Sequence, residues 1–202
     1  MLKELFESSF YITFPPVTHT IINLIEQIHT GAFSLADIKA CDGCKFVCSS
    51  DVASREQLRI TSNQEVYIIN IDQVVSHIKD TVGETCDYML DTNASTILVE
   101  MTCSTADNVL DKRPKARRQL RNTLALLFAN DNIKQHINKK STNYVVFSWK
   151  ETFSSTVLRD NVEHMMRGML EMADEVYSPN NESSFDFDFK FKEIRYPHAL
   201  SM

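Results

Sequence analysis

The stretch CDYMLDTNASTILVEMTCSTADNVLDKRPKARRQLRNTLALLF, residues 86–128, decides how this chain is read. CDYMLDT reads as a strand, NAS as a tight turn and TILVEMT as a second strand, with a short loop and a basic helix after it. Asp87 opens the first strand, Asp91 lies near its end, and Glu100 stands late in the second. Alternation puts Asp87, Met89 and Asp91 on one face of their strand, and Leu98, Glu100 and Thr102 on one face of the next. Pairing across the turn then brings Asp87 and Glu100 to the same face and the same end of the sheet. Two carboxylates that close repel, and a bound divalent cation relieves the repulsion. The same spacing also fits ordinary solvent-facing acids on a half-exposed hairpin, and the pattern alone does not choose.

The helix that follows carries six basic residues among the ten from Lys112 to Arg121, in a chain whose net charge is −6. Arg113, Arg117 and Arg121 recur every four residues on one flank, with Lys112, Lys115 and Arg118 beside them. Ala116, Leu120, Leu124, Leu127 and Phe128 form the stripe expected to be buried, and Pro114 is expected in the first turn. A charge run is usually a solvated helix face. Six cations with no acid among them exceed what solubility needs, and contact with a polyanion would ease their mutual repulsion.

At 202 residues the chain fits one ordinary domain, with room for an appendage. Four glycines and no Gly-x-Gly-x-x-Gly or Gly-x-x-x-x-Gly-Lys pattern argue against a Rossmann or P-loop nucleotide site. The opening MLKELFESSFYITF has acids where an export signal needs an apolar run, so no such signal is expected. No apolar run approaches the ~18 residues of a membrane span, so no membrane partner is expected. Five cysteines, an odd number, are expected to be reduced thiols of a cytoplasmic protein.

Three stretches are expected. Residues 1–50 read as a helical part containing a cysteine cluster. HTIINLIEQIHTGAF supplies Ile21, Ile22, Leu24, Ile25 and Ile28 at helical spacing, Gly31 as a stop, and Ser34 as the N-cap of the next short helix. CDGCKFVC places Cys41, Cys44 and Cys48 at a spacing that can chelate Zn²⁺. The lack of a second Cys-x-x-Cys favours small packed thiols instead. Residues 51–177 read as an α/β core: DVASREQLRI as a short helix, EVYIINI as a strand, DQVVSHIKD as helical, then the hairpin, the basic helix and the strand NYVVFSWK. VLRDNVEHMMRGMLEMADEV ends it as a Met-rich amphipathic helix. Residues 178–202 read as a linker, SPNNESS, and a strand, FDFDFKFKEI, with Phe185, Phe187, Phe189 and Phe191 on one face. That strand is expected to pack on its own sheet or on a partner. A homodimer through it or through the Met-rich helix is one expectation.

Helix, strand, strand with Asp87, strand with Glu100, basic helix, strand: this order resembles the α-β-β-β-α-β core of the PD-(D/E)XK nuclease-like superfamily, over roughly residues 51–150. The resemblance implies an α+β fold with a mixed central sheet, a restriction-endonuclease-like core and flanking helices. It implies Mg²⁺ or Mn²⁺ held by Asp87 and Glu100; the catalytic cation, absent from the family's own position, is expected from the helix start, at Lys115 or Lys112, unless catalysis has been lost. It further implies a nucleic-acid partner, DNA ahead of RNA, contacted by Lys112, Arg113, Arg117, Arg118, Gln119 and Arg121. Gln119 falls where several family members carry a glutamine, and Glu56 matches the acid that some supply from an earlier helix. The chain departs from the family pattern at two positions. Cys86 stands where a proline precedes the first acid, and Thr102 stands where the family has its lysine. The alternative is therefore a non-catalytic relative that binds nucleic acid or protein, with zinc stabilisation as a variant of it.

Overall fold

Among the described residues, eight strands form one mixed sheet organised around the thirteen-residue strand β2, Leu58–Asn70. The computed structural model describes residues 2–17, 26–36, 58–78, 83–104, 106–151 and 182–202. The other strands are β1 (Glu26–Leu35), β3 (Tyr88–Asp91), β4 (Thr96–Ser104), β5 (Tyr144–Glu151), β6 (Glu182–Ser184), β7 (Lys190–Arg195) and β8 (Ala199–Ser201). They lie in the order β1-β2-β3-β4-β5-β7-β6, and β8 pairs in parallel with β2. β2, β3 and β4 make an antiparallel meander. The chain then crosses through helices α4 (Ala106–Phe128) and α5 (Asp131–Asn138) and returns as β5, parallel to β4. A parallel neighbour requires such a crossover, and a helix is the usual one. The mixed α/β fold expected from the sequence is the fold observed.

Alternation sorts the side chains into two cores. Met89, Leu98, Phe147 and Trp149 face α4, where Val109, Ala116, Leu120, Leu124 and Leu127 are buried. Tyr88, Leu90, Ile97, Val99 and Val146 point to the opposite face, beside Phe33, Leu35, Ile60, Ile68 and Leu200. Both faces are covered, so the strands read as nearly continuous apolar runs. At the amino end α1 (Leu2–Leu5), a π-helical turn (Phe6–Phe10) and α2 (Tyr11–Thr13) set Leu2, Phe6 and Phe10 into the α4 side of the core. Asn130 ties this segment down, donating to the Ser9 carbonyl at 3.0 Å while its Oδ1 caps α5 at the Ile133 amide.

Four expectations are corrected. Residues 26–35, read as part of a helix, are strand β1, because ladder pairing with β2 from Glu26↔Ile69 to Leu35↔Leu58 outweighs a weak helical period. Gly31 marks a β-bulge, not a helix end; its φ of +87° is one that other residues rarely adopt. Ser34, read as an N-cap, lies inside β1, and Leu58–Ile60 of the expected short helix belong to β2.

Helix α4 begins eight residues before Pro114, because buried Val109 extends its apolar stripe toward the amino end. A proline at that depth removes one backbone hydrogen bond, a cost that the packing of the stripe offsets. The alternating FDFDFKFKEI is not one strand. Asp186–Asp188 form a 3₁₀ turn with Phe187 at φ 59° and Asp188 at φ 62°, and the Phe185 amide reaches the Phe189 carbonyl at 2.8 Å. This turn joins β6, the end of the expected linker, to β7. Phe189 and Phe191 are buried, whereas Phe187 is half-exposed.

β7 lies between β5 and β6, so it is not the open edge through which a second copy was expected to pair. Cys41, Cys44, Cys48, Glu56 and the Met-rich 157–176 stretch lie outside the described residues. Among the described residues, no helix is long and apolar enough to cross a membrane.

Candidate functional site

Asp87 sits at the entry of β3, and its backbone is held from two sides. Its amide donates to the Val99 carbonyl at 3.0 Å, and its carbonyl accepts the Ile71 amide at 2.9 Å. Its Oδ2 accepts the Met101 amide at 2.6 Å, so the side chain lies against β4. β3 and β4 pair as Tyr88↔Val99 and Met89↔Leu98, and one step further on this register stand Asp87 and Glu100. Glu100 flanks Leu98 on the strand face that α4 covers. Each acid is only 8% exposed, which overturns the reading of ordinary solvent-facing acids.

Both carboxylates open on one polar cleft of about 490 Å³ between the ends of β3 and β4 and the first half of α4. Lys112, Lys115 and Gln119 line the same cleft, as does Thr102. Five residues chosen from the sequence (Asp87, Glu100, Lys112, Lys115 and Gln119) thus meet in one place. Asp72, in the first turn of α3 (Ile71–Ser76), is a sixth that sequence reasoning missed. Its Oδ1 accepts the Thr85 hydroxyl at 3.3 Å. An acid just inside a helix start is favoured by the helix dipole alone, so its sequence context carried no further signal.

Gln119 acts on the chain itself. Its Nε2 donates to the Thr85 carbonyl at 2.9 Å, and one turn on, the Thr123 hydroxyl accepts the buried Cys86 amide at 2.9 Å. Asn122 donates to the Glu84 carbonyl at 3.1 Å. Three side chains of α4 therefore grip the backbone that leads into Asp87. Cys86 is wholly buried there. Burial pushes its thiol well above the ordinary range, and the nearby Glu100, Asp87 and Asp72 carboxylates add to this against the Thr123 hydrogen bond. It packs as a small hydrophobe, not as a nucleophile.

The basic helix divides into two rows. Arg113, Arg117 and Arg121 face the carboxyl-terminal segment. Arg113 Nε reaches both Glu193 oxygens at 2.9 and 2.8 Å, Arg117 lies over the Phe191 ring at 4.1 Å, and Arg121 pairs with Asp186 beside Phe185. Lys112 and Lys115 turn to the cleft. Lys115 and Arg118 both meet Glu84, at 2.9 and 3.6 Å.

Asp91 belongs to a different cluster. Its carboxylate accepts Thr96 Oγ1 at 2.6 Å and lies 3.0 Å from both His136 Nε2 and Lys140 Nζ, joining the hairpin to α5. Burial favours its neutral form, but the hydrogen bonds from His136 and Thr96, with Lys140 beside them, prevail and leave its pKa below the usual carboxylate value.

Among the described residues, no group of three His, Cys, Asp or Glu side chains is arranged to hold a metal ion. A Mg²⁺ site needs fewer, since Mg²⁺ keeps several waters and is commonly bound through one or two carboxylates. The hard oxygens of Asp87 and Glu100 suit Mg²⁺ or Mn²⁺. A carboxylate presents about four lone-pair sites across its two oxygens. The donor set fits. Comparison with protein families, curated proteins and solved structures returns no match.

Proposed function

We propose that the protein is a remote relative of the PD-(D/E)XK nucleases, acting in metal-dependent hydrolysis of phosphodiester bonds in nucleic acid, DNA ahead of RNA. The observation that carries this reading is the cleft, where Asp87 and Glu100 share about 490 Å³ with Lys112 and Lys115. The antiparallel β2-β3-β4 meander followed by a helical crossover to parallel β5 supports it, being the order that the resemblance implies.

Asp87 and Glu100 are the residues that would hold Mg²⁺ or Mn²⁺. A bound divalent ion supplies Lewis-acid polarisation of a phosphoryl oxygen and a more acidic water. The ammonium groups of Lys112 and Lys115 neutralise phosphate at the cleft wall, which positions a backbone without reading its sequence. Thr102 offers a hydroxyl that can donate and accept, so it can orient a water, but it brings no charge to a developing anion. Catalysis therefore draws its cation from Lys115. A cytoplasmic setting, with nucleic acid at hand and thiols reduced, accords with this reading.

A second reading, a binding relative without catalysis, is favoured by one observation. Lys115, which would have to replace the missing lysine, is engaged by Glu84 at 2.9 Å. Calorimetric titration with Mn²⁺ separates binding from its absence, and a cleavage assay on labelled DNA and RNA then separates the two readings. The nuclease reading expects metal binding that Asp87→Asn abolishes, and metal-dependent cleavage lost in the same variant. Metal binding without cleavage of either substrate selects the binding relative. No metal binding in the unaltered protein sinks the enzyme.

A further inference from the structure

The two cation rows of α4 are held in different ways. Arg113, Arg117 and Arg121 are matched to Glu193, the Phe191 and Phe185 rings and Asp186, so that row is part of how the carboxyl-terminal segment docks. Lys115 lines the cleft, Arg118 stands three residues on, and both meet one carboxylate, Glu84; Lys115 and Glu84 are about half exposed and Arg118 is more exposed still. Exposed ion pairs of this kind hold weakly, because water screens both charges and two long side chains must be ordered.

The backbone beneath Glu84 is fixed by contrast. Asn122 and Gln119 hold the Glu84 and Thr85 carbonyls, and Thr123 takes the Cys86 amide. At Gly83 a Cβ would come within 2.9 Å of Asn122 Nδ2, so the chain passes close to that side chain of α4. A weakly held carboxylate on a fixed backbone, set against two cations at a cleft rim, is a built-in anion.

We propose that Lys115 and Arg118 form an anion subsite at the mouth of the cleft, that Glu84 occupies it in the free protein, and that a phosphate group of a polyanionic ligand takes its place. The nucleic-acid identity of that ligand rests on the phosphodiester reading; the subsite rests on Lys115, Arg118 and Glu84 alone. Glu84 competes as an anion through the neutral range, as any ordinary glutamate carboxylate does, and the Lys115 hydrogen bond, with Arg118 adding to it, lowers its pKa further. A lone monoanion gains little by displacing one carboxylate with another single charge. A ligand with linked phosphates does better, since Lys112 lines the cleft one turn away and receives the next charge. Glu84 thereby selects for multiply charged ligands.

The test uses the full chain in EDTA, so that hydrolysis does not intervene, with pyrophosphate and a short labelled single-stranded oligodeoxynucleotide as probes. Glu84→Gln should bind pyrophosphate roughly 2- to 5-fold more tightly than the unaltered protein. In a Lys115→Ala/Arg118→Ala background the same substitution should change nothing, because the competitor has no site. A pyrophosphate gain with no oligonucleotide binding upholds the subsite and overturns the polynucleotide reading. Equal affinities of Glu84→Gln and the unaltered protein overturn the subsite. So does an equal gain in the double-alanine background, which would be a bulk charge effect, or the absence of pyrophosphate binding in every variant.

Discussion

The carboxylate of Asp87 accepts the backbone amide of Met101 at 2.6 Å, which ties the entry of β3 to the strand that carries Glu100. One side chain thus holds the geometry of the acidic pair and is itself half of that pair. The two roles separate by substitution. Asp87→Asn retains an acceptor for the Met101 amide, whereas Asp87→Ala leaves a buried N–H without a partner, at a cost of about 1–3 kcal/mol. Urea unfolding should show that loss for alanine and a smaller one for asparagine, while Mn²⁺ titration should show metal binding lost in both. Metal binding that survives in the asparagine variant would remove Asp87 from the site.

Asp91 governs acid stability. Its folded pKa lies below the unfolded value of about 3.9, so its contribution is fully present above that value and is lost as pH falls through the folded one. The unaltered protein should lose stability below about pH 4, and Asp91→Asn should show a shallower loss over the same range. Removing the charge also leaves the largely buried Lys140 without its carboxylate, so at pH 7 the variant should be less stable by roughly 3 kcal/mol. Thermal unfolding from pH 2 to 7 checks both parts.

Arg117 should matter for folding more than for ligand binding. Its guanidinium lies 4.1 Å from the Phe191 ring centre and 5.3 Å from that of Phe185. Arg117→Lys keeps the charge but loses planar stacking, and should cost about 1 kcal/mol. Lys112→Ala should leave stability within about 0.5 kcal/mol and reduce the salt dependence of oligonucleotide binding. Chemical denaturation beside a salt titration distinguishes them. The opposite pattern would return the arginine row to the ligand.

Thr123 tests the grip of α4 on the backbone before Asp87. Thr123→Val preserves shape but strips the acceptor from the buried Cys86 amide, at about 1–3 kcal/mol. Hydrogen exchange at Cys86 should accelerate more than exchange in β5. Uniform acceleration would mean that the contact serves global stability only.

Much of the site was legible because it is local. Asp87 and Glu100 are thirteen residues apart on a hairpin, and strand alternation with a short turn is enough to bring them together. Lys112, Lys115 and Gln119 follow on the next helix, whose 3.6-residue period sends them to one side. Asp72 was not legible, since its place in the cleft depends on how α3 packs beside the entry of β3. The partners of the arginine row were not legible either. Glu193 lies 80 residues beyond Arg113 and Asp186 lies 65 beyond Arg121, and a run of cations on a helix has the same sequence appearance whether phosphate or its own chain neutralises it.

The sequence by itself determined the alternation of the hairpin, the apolar stripe of α4 and the strand character of β5, because each depends on neighbours within a few residues. Only the tertiary structure decided that residues 26–35 are a strand, that Phe185–Phe189 turn back on themselves and that Arg113, Arg117 and Arg121 dock the carboxyl-terminal segment. Each of those outcomes is set by pairing between segments remote in the chain. The free energy of such pairing outweighs local preferences worth a few tenths of a kcal/mol per residue, on the order of 0.5.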